Sequence, residues 1–289
     1  MPSPLRSLAA LILGLGLGLA SSIQSNAQQP PPASPALAAK AAGVPDFWQY
    51  EPRGGFANGG RDYCCPVAAS NYLLYFAQHG YPNLLPNSTQ PLSPFQAQIG
   101  MINQLASHDY FGTDPREGTG PGAVLRGVRR YVEESGYQCR RLEYEGWRPV
   151  GSAQQAAVRA RLPQHDWLLA ALDDPDGAVW LNVGWYEPGN APGEWKRVGG
   201  HWLTLAGWKE ETQGPALLIR NSLISAARVP DAAASTVRLT PAPGGQIVFP
   251  DGTRRETAGM DQVSGPGLPM KPGHYAFLDA AIVLVIGNR

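Results

Sequence analysis

Trp167-Leu-Leu-Ala-Ala-Leu172 and Ala178-Val-Trp-Leu-Asn-Val-Gly-Trp-Tyr186, split by Asp173-Asp-Pro-Asp-Gly177, mark where the chain changes period. Both runs read as strands, because short apolar stretches bounded by turn residues fit buried β-structure. His201 to Trp208 and Ala216 to Arg220 continue the pattern, separated by turn-forming segments at 188–193 and 210–215. Gln246 to Phe249 and Ala281 to Ile286 add two more predicted strands. Upstream the spacing is helical. A helix is predicted over 65–79, with Pro66 in its first turn and Gly80 and Pro82 as stops. Ser93-Pro-Phe-Gln96 is a capping box, followed by Phe95, Ile99, Ile102 and Ala106 on one face. Val124, Val128 and Val132 define a third helix over 121–135, and 153–162 reads as a short fourth. Helices followed by an antiparallel sheet predict an α+β fold.

The chain has 289 residues with 23 Lys+Arg and 23 Asp+Glu, a formal net charge of zero. Neutrality argues against a nucleic-acid partner, which needs clustered positive charge. With 43% hydrophobic residues the chain can bury a core, so disorder is excluded. The three cysteines have no zinc spacing, and Asp173-Asp-Pro-Asp176 lacks a calcium-loop pattern, so no metal is expected. No Gly-rich loop joins a strand to a helix; hence no nucleotide cofactor is expected.

Residues 1–27 read as an export signal. Arg6 supplies the positive start, Leu8 to Ala20 the apolar stretch, and Ser25-Asn-Ala27 the small-residue cleavage site. Thirteen residues are too few to cross a bilayer, which takes about 20. The mature protein is therefore expected to be secreted or periplasmic, off the membrane once the signal is cut. Residues 28–43, rich in Pro and Ala, read as a linker, and 44–289 as the folded domain.

Three local features carry chemistry. Arg61-Asp-Tyr-Cys-Cys-Pro-Val-Ala-Ala-Ser70 sets two thiols at a predicted helix start, where unpaired N–H groups and the dipole favour thiolate. Gly199-Gly-His-Trp-Leu-Thr-Leu-Ala-Gly-Trp208 opens a strand with a histidine. Leu218-Ile-Arg-Asn-Ser222 ends the next strand with an asparagine. A nucleophile, its base and a group that holds the base's ring are the parts of an acyl-transfer site.

Cys-x-Pro-x-Ala-Ala at a helix start resembles the Cys-Gly-Pro signature of papain-clan cysteine peptidases, in particular the enzymes that process bacteriocin leaders. Gly200-His to Trp208 is similar to the strand bearing that clan's histidine, and Ile219-Arg-Asn-Ser222 to papain's Ile-Lys-Asn-Ser segment. His201 follows Cys64 by 137 residues, inside the window of about 130–150 described for such enzymes. The resemblance spans roughly residues 44–223 and rests on short motifs. It implies a papain-like fold, in which a helical half carrying the nucleophile packs on an antiparallel sheet. It also implies an exported peptidase acting on peptide or protein substrates, with Cys64 as nucleophile, His201 as base and Asn221 as its orienting partner. Gln49, in Phe47-Trp-Gln-Tyr50, would be an oxyanion donor. Alternatives on the same fold are an acyltransferase, a cell-wall amidase or an inactive binding module.

The chain departs from the family pattern in three places. Cys65 stands where the family has glycine, which leaves the nucleophile open between two adjacent thiols. Gln49 precedes Cys64 by 15 residues, a longer connection than usual, and Leu223 replaces the tryptophan that shields the asparagine. With three cysteines in an exported chain not all can pair, and the sequence leaves open a Cys65–Cys139 bridge with Cys64 free or three free thiols. His79, His108, His165 and His274 are expected to have no catalytic part.

Overall fold

The computed structural model describes residues 35–87, 91–209, 211–212, 215–224 and 235–289. The export signal and residues 28–34 of the expected linker lie outside these residues. Five α-helices occur in the described part: α1 (Pro35–Gly43), α2 (Cys64–Gln78), α3 (Pro94–Ala106), α4 (Pro121–Glu134) and α5 (His165–Asp173). The strands are β1 (Tyr137–Gly146), β2 (Val158–Arg159), β3 (Gly177–Pro188), β4 (Glu194–Lys209) and β5 (Ala216–Arg220). They continue with β6 (Thr236–Pro241), β7 (Gln246–Val248), β8 (Arg254–Glu256), β9 (Asp261–Ser264) and β10 (Tyr275–Asn288). The class is α+β, as the change of period predicts. No described helix is long and apolar enough to cross a membrane.

All ten strands join one sheet, in which β3 bridges β10 and β4. Its pairings run β10–β3–β4–β5–β6–β9 and return to β10, with a single pair, Phe277 with Gln262, closing the ring. The sheet is mixed, not purely antiparallel: β1 with β2 and β4 with β7 are short parallel pairs.

Three expectations of local structure fail. The run 167–172 belongs to helix α5, whose buried residues Trp167, Leu168, Ala171 and Leu172 recur with helical spacing. A short, continuous apolar run fits a helix or a strand equally well, and packing decides. Residues 35–43, read as linker, form α1. Alanine is the best helix former, and this segment has a surface to cover. Leu37, Lys40 and Ala41 are buried. Lys40 Nζ donates to the carbonyls of Leu172 (3.0 Å) and Asp174 (2.7 Å), and the Arg220 guanidinium donates to those of Ala41 and Val44. The expected helix at 153–162 is instead a 3-10 turn, Ser152–Ala157, followed by β2.

Helix α2 is the centre of the packing. Every residue from Cys65 to Ala77 is buried, and polar bonds fix its register against the sheet. The Ala68 carbonyl accepts from Trp180 Nε1 (2.9 Å) on β3 and Thr204 Oγ1 (2.8 Å) on β4. Tyr72 Oη donates to the Leu205 carbonyl at 2.6 Å, and Asn71 Nδ2 to Thr204 Oγ1 at 3.2 Å. Each such bond contributes about 1 kcal/mol net, but leaving a buried partner unpaired costs about 1–3 kcal/mol. Sliding α2 along the sheet would strand all four at once. The position of Cys64 relative to β4 is fixed by this penalty.

Candidate active site

Cys64 is the first residue of α2, and His201 lies in the part of β4 against which α2 is pinned. Both line a cleft of about 970 Å³, together with Gln49, Tyr50, Trp185 and Leu223. Asn221 follows β5 directly, one antiparallel hairpin from His201.

His201 is buried, with Nε2 2.8 Å from Asn221 Oδ1. The Asn221 amide is oriented by its other bonds: Nδ2 donates to the Gly267 carbonyl at 2.8 Å, and Oδ1 accepts the Leu223 N–H at 3.1 Å. Oδ1 therefore faces the ring as an acceptor, so Nε2 carries the hydrogen. The network assigns the tautomer that leaves the Nδ1 lone pair available to take a proton. Trp185 stacks on the ring, with centroids 6.0 Å apart and planes at 17°. Burial pushes His201 down to about 4, against the opposing effect of the Asn221 bond.

Cys64 is half-buried, and Cys65 is turned into the core at 2% exposure, its thiol in hydrogen-bond contact with Thr119. The structure thus separates the adjacent thiols: one lines the cleft and the other packs beneath it. Burial pushes the Cys64 thiol up to about 11, while the backbone N–H groups of Trp202 and Cys65 pull the other way and Asp62 adds to the rise. The contact with the Trp202 N–H brings the sulfur to the residue next to His201. Among the described residues no hydrogen bond joins the thiol to the imidazole, and burial favours the neutral form of each group. This differs from the thiolate that a helix start alone favours, because desolvation outweighs the backbone N–H contacts to the sulfur.

Gln49 is buried in the cleft wall but bound as a strut. Its Nε2 donates to the carbonyls of Gly60 (3.0 Å) and Arg61 (2.9 Å), and Oε1 accepts from Ser222 Oγ (2.8 Å). It ties the loop before Cys64 to the residue after Asn221. The approach requires glycine at position 60, where φ is 84° and an added Cβ would sit 1.7 Å from the Gln49 carbonyl oxygen. Both amide hydrogens are thus engaged, and Gln49, expected as an oxyanion donor, braces the cleft wall.

The Cys65–Cys139 bridge that the sequence leaves open is not formed; all three cysteines are free thiols. Cys65 points into the core beside Thr119, and Cys139 is half-buried on β1, paired with Ile286 of β10. Of the other histidines, His165 meets Asp261 at 3.0 Å and His274 lies in a loop against the Pro272 carbonyl; neither lines the cleft. No group of side chains among the described residues is arranged to hold a metal ion. Sequence reasoning missed Trp185, Arg148, Arg197 and Thr119. Each is placed by partners far away in the chain, and no local motif marks them.

Comparison with protein-family models finds no match, and comparison with curated proteins finds none either.

Proposed function

We propose that this chain is a papain-like cysteine hydrolase that cleaves amide bonds through a Cys64–His201–Asn221 triad. The signal-like reading of residues 1–27 makes it an exported enzyme. The observation that carries the proposal is the fixed Asn221–His201 bond, which frees Nδ1 in a cleft whose only lining thiol among the described residues is Cys64.

In this reading Sγ attacks the amide carbonyl carbon as its proton passes to His201 Nδ1. Charging either group alone is costly in the buried cleft, but proton transfer creates both charges together and their attraction offsets part of the cost. The tetrahedral oxyanion is held by backbone N–H groups at the start of α2, with Gln49 joining once it releases the Arg61 carbonyl. His201 then returns the proton to the leaving amine, giving a thioester. Water, deprotonated by the same nitrogen, attacks the thioester and releases the acid and the free thiol. An amine in place of water would give acyl transfer, and product analysis with added amine separates the two.

A second reading, a binding module that keeps the fold without turnover, is supported by the burial that pushes the Cys64 thiol up to about 11.

The test is incubation with a mixed peptide pool, read by mass spectrometry, with iodoacetamide-blocked protein as control. New termini in the first sample alone support the hydrolase. No cleavage in either contradicts it. On a cleaved peptide, the acid limb of kcat/KM is expected near pH 4, since His201 must be neutral to accept a proton and is held down to about 4. A limb at the ordinary histidine value of about 6.5 would show a ring not desolvated as described.

A further inference from the structure

The chain is neutral overall, but the described lining of the cleft is not: it holds Arg61, Arg116, Arg148, Arg197 and Lys271 against Asp62 and Glu117. The excess concentrates beside the base. Arg197 lies on β4 four residues before His201, and its Nε donates to Asp279 Oδ2 at 2.8 Å. Asp279, fully buried, also accepts from Tyr186 Oη (2.6 Å) and Trp147 Nε1 (3.1 Å). One carboxylate thus serves three donors.

Arg148 makes no ion pair among the described residues; its hydrogen bond goes to Asn182 Oδ1 at 3.4 Å. Asn182 Nδ2 in turn donates to the His201 carbonyl at 3.3 Å. Arg197 Nη2 is buried without an acceptor. It rests on Gly200, where an added Cβ would lie 2.3 Å away, and Gly200 pairs across the sheet with Gly184, whose own Cβ would meet Asp279 Oδ2 at 2.4 Å. Two facing glycines therefore let the ion pair lie flat on the strands that carry the base. Two half-buried guanidinium groups stand here beside a single carboxylate, which pairs with Arg197, an arrangement that is costly unless a further anion arrives.

Resting on the hydrolase reading, we propose that Arg148 and Arg197 form a specificity subsite that receives the carboxylate of an acidic side chain in the substrate peptide. Planar guanidinium groups bind carboxylates in paired hydrogen bonds, and the low-dielectric wall strengthens them. The acidic residue would be held next to His201, close to the scissile amide.

The test is calorimetric titration of Cys64→Ala protein with acetyl-Ala-Glu-Ala-amide and with the matching Gln peptide. The Glu peptide is expected to bind at least about tenfold more tightly. Arg148→Gln should reduce the preference to below about twofold, and Arg148→Lys, which keeps the charge but not the fork, should restore part of it. Equal affinities, binding of neither peptide, or a preference unmoved in Arg148→Gln protein of unchanged melting temperature would overturn the subsite. Binding needs no turnover, so the two proposals can fail separately. An intact preference in a chain that cleaves nothing removes the hydrolase and keeps the subsite. Cleavage of both peptides at equal kcat/KM does the reverse.

Discussion

Cys64→Ala is expected to lower turnover by at least about ten-thousand-fold, because the members of a nucleophilic triad act as a unit and losing the nucleophile leaves only binding and oxyanion stabilisation. Its neighbour provides the control. Cys65 is a thiol on the same helix turn, but it is buried against Thr119 beneath the cleft and does not line it as Cys64 and His201 do. Cys65→Ala removes a small apolar group from the core, so a modest loss of stability with turnover retained is expected. Steady-state rates on any peptide cleaved by the native chain decide the matter. Turnover surviving Cys64→Ala and vanishing in Cys65→Ala would reverse the assignment.

The largest effect on stability is expected at Asp279. It sits at a bulge in β10, between Leu278 and Ala280, where the register against β3 shifts. Such a bulge re-aims a side chain, here toward Arg197, Tyr186 and Trp147. Asp279→Ala would leave a largely buried guanidinium without its carboxylate and two further donors without an acceptor. Breaking a buried pair from one side costs about 3–5 kcal/mol. Asp279→Asn, which keeps an acceptor oxygen but loses the charge, should cost less. Urea unfolding measures both; a loss below about 1 kcal/mol in Asp279→Ala would mean that water replaces the carboxylate.

Much of the fold was legible where the signal is local. The Ser93 capping box forms as read: Ser93 Oγ accepts the Gln96 N–H, and Gln96 Oε1 the Ser93 N–H. Helix α2 and strands β3 and β5 fall where turns and apolar runs put them, but β4 begins at Glu194, so His201 lies inside the strand it was expected to open. Strand β1 went unread because Arg140, Arg141, Glu143 and Glu145 lie within it. Those charges are accommodated by partners elsewhere in the chain: Glu145 is fully buried because Arg161 pairs with it. The site divides in the same way. Cys64, His201 and Asn221 sit in short motifs, and the structure brings Cys64 and His201 to one cleft, with Asn221 bonded to the ring. The bracing by Gln49 depends on Gly60, Arg61 and Ser222, and the cationic wall on Asp279, 82 residues beyond Arg197. Pairings of that range leave no periodic trace.

The central claim is that Cys64 and His201 act on each other across the cleft, and it can be tested without a substrate. The measurement is the rate at which iodoacetamide alkylates Cys64 at pH 7, followed by peptide mapping, in the native chain and in His201→Ala. With the imidazole as acceptor for the thiol proton, the rate is expected to fall at least about tenfold in the variant, even though removing the ring opens the cleft. An equal or faster rate would show that the sulfur does not use the imidazole, and the triad would be contradicted.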